Sequence, residues 1–125
     1  MNAHLIAALA AAGLVAATSA AHAQASIGER LAKSACAQCH TFGKGEPPGA
    51  GPNLYGLIGR PAGAAAGFDY SAPFLAALKG KTWDPSLIER WLTDTQQVAP
   101  GSGMIYFQDD PQKREELIKY LASLK

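Results

Sequence analysis

Both cysteines of the chain fall in one five-residue cluster, Cys36-Ala37-Gln38-Cys39-His40. Two thiols three positions apart, close to a helix end, can each form a thioether with one of the two vinyl-derived carbons of a haem. The adjacent imidazole then meets the iron. Cys-x-x-Cys-His spacing therefore reads as c-type haem attachment through Cys36 and Cys39, with His40 as an axial ligand. Three other chemistries compete for the same residues. A disulfide between the pair would close a very short loop and contribute little. A thioredoxin-like redox pair requires a βαβ setting, and no strand of alternating or β-branched character precedes Cys36. Structural zinc requires four ligands, and outside this cluster residues 24–125 hold no further Cys or His.

The ligand inventory narrows the iron chemistry further. The remaining histidines, His4 and His22, and one of the two methionines, Met1, all precede residue 24. A domain beginning at Gln24 thus has one His and one Met, which excludes bis-histidine ligation. The sixth ligand is then Met104, a weaker donor such as Lys, or nothing. Met104 sits in Pro100-Gly101-Ser102-Gly103-Met104, a proline- and glycine-rich run that reads as a turn. It follows His40 by 64 positions, enough chain to wrap a haem and reach its opposite face. Core filling is the competing role for a lone Met.

These residues need elements to hold them. Residues 1–23 read as a secretory signal peptide: a short Ala- and Leu-rich run from Leu5 to Ala17 closes on Ala21-His22-Ala23, an A-x-A cleavage site. No Lys or Arg precedes the run, a departure from the usual charged start. The run is too short and Ala-rich for a comfortable membrane span. An uncleaved anchor or an alanine-rich helix of the domain are the competing readings. Residues 24–125 then form one domain, small enough that a large apolar cofactor sharing its core would add much to stability. The apolar fraction of 48% is inflated by the leader, and the net charge of +1 lies wholly outside it. That near-neutral balance points to neither nucleic acid nor an acidic membrane surface.

Ser26-Ile27-Gly28-Glu29 fits a capping box and predicts a first helix from Ile27 to about Cys39. Residues 41–52, with four glycines and three prolines, read as loop. A short helix is expected over Asn53 to Ile58, and residues 61–67 show no clear period. Asp84-Pro85 and Asp110-Pro111 each place an N-cap before a proline at the first helical position. Apolar stripes follow both: Leu87, Ile88, Trp91 and Leu92, then Leu117, Ile118, Leu121 and Leu124. Nothing reads as a strand, so the class is all-α with long loops organised by a cofactor.

Taken in order, the chain resembles the class I c-type cytochromes, in the branch of mitochondrial cytochrome c and bacterial cytochrome c2. The resemblance rests on Cys36 to His40, Gly51-Pro52-Asn53-Leu54-Tyr55-Gly56-Leu57-Ile58-Gly59-Arg60, Gly67-Phe68-Asp69-Tyr70-Ser71, Trp83, Pro100 to Met104 and Glu116-Leu117-Ile118-Lys119-Tyr120-Leu121. It implies helices and long loops wrapped around one covalent haem c, with His40 and Met104 on the iron. It also implies that the Pro52 carbonyl fixes His40, and that Tyr70, Trp83 and Arg60 hold the inner propionate. Ser102, in place of a usual Thr, would reach the other propionate. Gly28 and Tyr120 would mark the crossing of the first and last helices. Core packing is a parallel role for Tyr70 and Trp83.

Three departures from the family pattern stand out. Phe74 replaces an Asn common beside the inner propionate, and Trp91 replaces a Tyr common near the Met sulfur. The ring of lysines around the haem edge is thinned, with Gln96, Gln97 and Gly103 at positions where lysines are frequent. The resemblance implies a soluble, monomeric periplasmic one-electron carrier rather than an enzyme. Its partners would be redox proteins: a membrane oxidase, a bc1-type complex or a periplasmic dehydrogenase. The thinned lysines favour an alternative, a dedicated cytochrome subunit of such a dehydrogenase. A ligand-binding or peroxidase-like haem protein is a third reading, in which Met104 is labile.

Overall fold

The computed structural model describes residues 24–125. The signal-peptide reading of residues 1–23 lies outside the described residues. Five helices follow in order: α1 (Ile27–Ala35), α2 (Ala72–Leu78), α3 (Pro85–Thr93), α4 (Thr95–Val98) and α5 (Pro111–Ser123). No strand forms among the described residues; two isolated antiparallel bridges, Pro61 with Thr82 and Asp94 with Phe107, pin loops together. No described helix is long and apolar enough to cross a membrane.

The long helices start where side-chain oxygens meet their unpaired N–H groups. Ser26 Oγ accepts from the Glu29 amide at 3.0 Å, and Asp84 Oδ1 accepts from that of Leu87 at 2.7 Å. Asp110 Oδ1 accepts from the Gln112 and Lys113 amides at 2.9 and 3.3 Å. The first helix is shorter than expected, ending at Ala35. Beyond it the Ala37 amide reaches back to the Ala32 carbonyl, and the Cys39 and His40 amides both bond the Cys36 carbonyl. The cluster therefore occupies a looser turn just past the helix.

The helix expected over Asn53 to Ile58 does not form. Asn53 Oδ1 accepts from the Tyr55 amide at 2.7 Å, and Gly56 and Gly59 take φ of 69° and 85°. An Asx turn followed by left-handed glycines replaces the helix. Helix α2 was not anticipated. It has no side-chain cap bond and carries proline in its first turn, and it buries only Phe74 and Leu78.

Helices α1 and α5 cross at Gly28. A Cβ built there would lie 2.0 Å from the Glu116 carbonyl oxygen and 2.8 Å from Tyr120 Cβ, so only glycine permits this approach. Arg114 Nε on α5 donates to Glu89 on α3 at 2.6 Å, tying the second helix pair. The core contains Leu57, Phe74, Trp83, Ile88, Trp91, Leu92, Leu117 and Leu121. Those same eight residues line one cavity, so the core and the candidate site share their residues.

Candidate haem site

His40 projects from the turn after α1, and its environment fixes its chemistry. Nδ1 lies 2.7 Å from the Pro52 carbonyl oxygen. A carbonyl only accepts, so Nδ1 carries the proton and Nε2 keeps its lone pair. Burial pushes the imidazole pKa down and the bond to Pro52 pushes back, leaving the ring neutral near pH 7. Gly51 backs the ring: a Cβ there would lie 2.6 Å from His40 Cε1, 2.8 Å from Nδ1 and 3.0 Å from Nε2. The Gly51 amide also donates to the Cys39 carbonyl at 2.8 Å, locking the two segments. Cys36 is half-buried and Cys39 exposed, and no disulfide joins them. Before attachment, burial raises the Cys36 thiol pKa, with the neighbouring Cys39 adding to the effect.

An aromatic cluster lines the same cavity. Tyr70 stacks on Phe74 with ring centroids 4.8 Å apart, and Phe74 meets Trp91 edge-on at 5.6 Å. Trp83 and Trp91 are edge-on at 5.8 Å. The Tyr70 hydroxyl accepts from the Ala65 amide at 3.3 Å. Arg60 donates from Nη2 to the Asn53 carbonyl at 2.9 Å and from Nη1 to that of Tyr55 at 3.3 Å. Among the described residues its Nε is buried with no partner. The Met104 loop closes the remaining side, with Ser102 buried and Met104 half-buried.

Cys36, Cys39, His40, Pro52, Arg60, Tyr70, Trp83, Trp91, Ser102 and Met104 all line a single cavity of about 660 Å³. Its size lies within the range of buried cofactor sites. Sequence reasoning missed the wedge at Gly51, whose only signal is its place before Pro52. It also missed Tyr106, two positions after Met104, and the contacts of Thr95 and Gln96 with the loop. The Thr95 hydroxyl donates to the Met104 carbonyl at 2.7 Å, and Gln96 Nε2 donates to the same carbonyl at 2.9 Å.

Comparison with known proteins agrees with this geometry. The family profile for Cytochrome c matches residues 25–125, which include the whole cavity lining. The chain belongs to the cytochrome c family. Cytochrome c2 of Rhodopila globiformis is 38% identical over 99 residues, covering 78% of this chain and 91% of that protein. Cytochrome c-550 of Novispirillum itersonii is 37% identical over 110 residues, covering 81% and 98%. Cytochrome c of Chlamydomonas reinhardtii is 41% identical over 95 residues, covering 75% and 83%.

As a cytochrome c, the chain has the all-α class I fold and carries covalent haem c at Cys36 and Cys39. It is an electron carrier that works with redox partners, not an enzyme. The cavity suits that group on its own evidence. Its walls are mostly apolar, the two cysteines and an imidazole with a free Nε2 stand at one side, and Arg60 Nε, buried without a partner among the described residues, belongs to a lining residue. A buried donor without an acceptor is costly, and a carboxylate-bearing cofactor would supply one.

Proposed function

We propose that His40 and Met104 are the two axial ligands of the haem, and that the protein is a soluble, diffusible one-electron carrier of the periplasm. The observation that carries this reading is a coincidence of place: the one imidazole and one thioether of residues 24–125 line the same cavity as both cysteines. When bound, the haem supplies one-electron iron chemistry, with a potential raised by thioether ligation. The Pro52 carbonyl keeps the proton on His40 Nδ1, so Nε2 would be the nitrogen that donates to the metal. Held by His40 and Met104, the iron would offer no open position to a small ligand, and the same ligands would serve both oxidation states.

Arg60, Tyr70 and Trp83 are assigned to one propionate. Arg60 Nε has a hydrogen to give, and among the described residues the Trp83 side chain makes no hydrogen bond. Ser102 is assigned to the other: its Oγ accepts from Gln96 Nε2 at 3.3 Å, and its own hydroxyl hydrogen is available. Trp91, in the aromatic cluster, keeps water from the metal's surroundings. Export, with residues 1–23 removed as a signal peptide, accords with an oxidising compartment for thioether formation. The carrier is a monomer that docks transiently near Cys36 and the Met104 loop, through a small, weak interface. The donor or acceptor is a membrane oxidase, a bc1-type complex or a periplasmic dehydrogenase.

The optical spectrum of the oxidised protein tests the ligand pair. His/Met ligation predicts a weak near-infrared sulfur-to-iron band that disappears in Met104→Ala. A high-spin spectrum that shifts at low imidazole concentration would sink the proposal.

One observation favours a second reading, the dedicated subunit of a periplasmic dehydrogenase. Phe107, three positions after Met104 and outside the cavity lining, is 71% exposed, an apolar side chain suited to a lasting contact. Co-purification with an oxidoreductase at high salt would support the subunit; elution as a lone monomer would support the diffusible carrier.

A further inference from the structure

Gln96 stands where the thinned lysine ring was expected, a surface position facing partners. Its carboxamide turns onto the Met104 loop instead. Nε2 donates to the Met104 carbonyl at 2.9 Å and lies 3.3 Å from both the Ser102 carbonyl and Ser102 Oγ. Oε1 accepts from the Gly101 amide at 2.9 Å. One side chain therefore holds both ends of the run from Gly101 to Met104.

The preceding residue works on the same peptide. Thr95 is fully buried. Its hydroxyl donates to the Met104 carbonyl at 2.7 Å and accepts from the Tyr106 amide at 3.0 Å. The Thr95 amide donates to the Tyr106 carbonyl at 3.0 Å. The Met104 carbonyl thus takes two hydrogen bonds, using both lone pairs. Asp94 makes the arrangement possible. It ends α3 in an extended conformation and caps α4 through the Gln96 amide at 2.9 Å, which turns Thr95 and Gln96 toward the loop.

We propose that Thr95 and Gln96 form a clamp that positions Met104, and that the clamp sets how readily the thioether leaves the iron. The inference rests on Met104 ligation. Neither residue touches the metal; both act through the peptide that carries the ligand. Releasing Met104 requires its backbone to swing away, and that motion breaks the two bonds on its carbonyl and the one on Gly101. With the clamp intact, the loop opens as a unit. Without it, the loop opens locally while the helices stay packed.

The test compares the haem-loaded Gln96→Ala, Thr95→Val and Gln97→Ala variants with wild type. Gln97 is exposed and serves as the control. Three quantities are read: the near-infrared band, the apparent affinity of the ferric protein for imidazole, and amide hydrogen exchange at Gly101 and Tyr106. In Gln96→Ala the band should persist, imidazole should bind about tenfold more tightly, and Gly101 should exchange about tenfold faster, the factor given by roughly one net hydrogen bond. Thr95→Val should accelerate exchange at Tyr106. Exchange within α1 and α5 should be unchanged in both, which separates loop release from general destabilisation.

Imidazole affinity and loop exchange within twofold of wild type, with the band present, would overturn the clamp while leaving Met104 ligation intact. Absence of the band from wild type would overturn the ligation itself, and the positioning role with it.

Discussion

Substituting Gly51 by alanine probes the geometry that presents His40 to the haem. Gly51 does not have positive φ, so alanine meets no backbone penalty and only the added methyl matters. That methyl would lie 2.6 Å from His40 Cε1 and 2.8 Å from Nδ1. Unstrained carbon contacts fall at roughly 3.5–4.0 Å, so the ring must move by about 1 Å. A shift of that size carries Nδ1 from 2.7 Å to the edge of hydrogen-bond range of Pro52.

Two terms follow: about 1 kcal/mol for the lost bond and about 1–3 kcal/mol for overpacking. The sum is roughly 2–4 kcal/mol, a drop in Tm of about 10–25 °C for a domain of this size. Thermal unfolding of the haem-loaded protein, followed by the Soret band and by helical circular dichroism, gives the value. Gln97→Ala is the control, because Gln97 is exposed and lies outside the cavity lining; it should fall within about 0.5 kcal/mol of wild type. A Gly51→Ala protein as stable as the control would refute the wedge.

Gly28→Ala places a methyl 2.0 Å from the Glu116 carbonyl oxygen, where backbone must yield. Chemical denaturation should show a loss of about 3 kcal/mol or more, the upper end for overpacking. Arg114→Met keeps the aliphatic stem but breaks the bonds to Glu89 at 2.6 Å and the Gln108 carbonyl at 2.7 Å. A loss of about 1–3 kcal/mol is expected, since two charge-assisted bonds disappear, and an unchanged denaturation midpoint would contradict the tie between α3 and α5. Electron exchange with a physiological partner should depend weakly on salt, because no lysine lines the cavity and Gly103, an exposed lining residue, carries no charge. Stopped-flow rates should change by less than about threefold between low and high ionic strength, where steered encounters change far more.

How much of this was legible in the sequence depended on whether the signal was local. The Asp-Pro starts of α3 and α5 and the Ser26 cap are self-contained, because the capping oxygen and the amides it serves lie within three residues. The candidate site residues were legible through the ordered motifs, and the structure collects them around one cavity. Three features were not. The stretch from Asn53 has Leu54, Leu57 and Ile58 at helical spacing, yet its Asx turn and two left-handed glycines win locally. Helix α2 lacks a cap bond and is held by burying Phe74 and Leu78, which only tertiary packing reveals. Gln96 reads as a surface polar residue because nothing in the sequence shows that Asp94 breaks the helix and redirects the next two side chains inward.

The proposal on which the rest depends is that Met104, with His40, would ligate the iron. Proton NMR of the reduced protein, with methionine labelled at its methyl carbon, tests it directly. Residues 24–125 hold one methionine, so one resonance carries the answer. Axial ligation predicts that this methyl is shifted far upfield by the haem ring current, in a sharp diamagnetic spectrum. A methyl in the ordinary methionine range, or a paramagnetic reduced spectrum, would contradict the account.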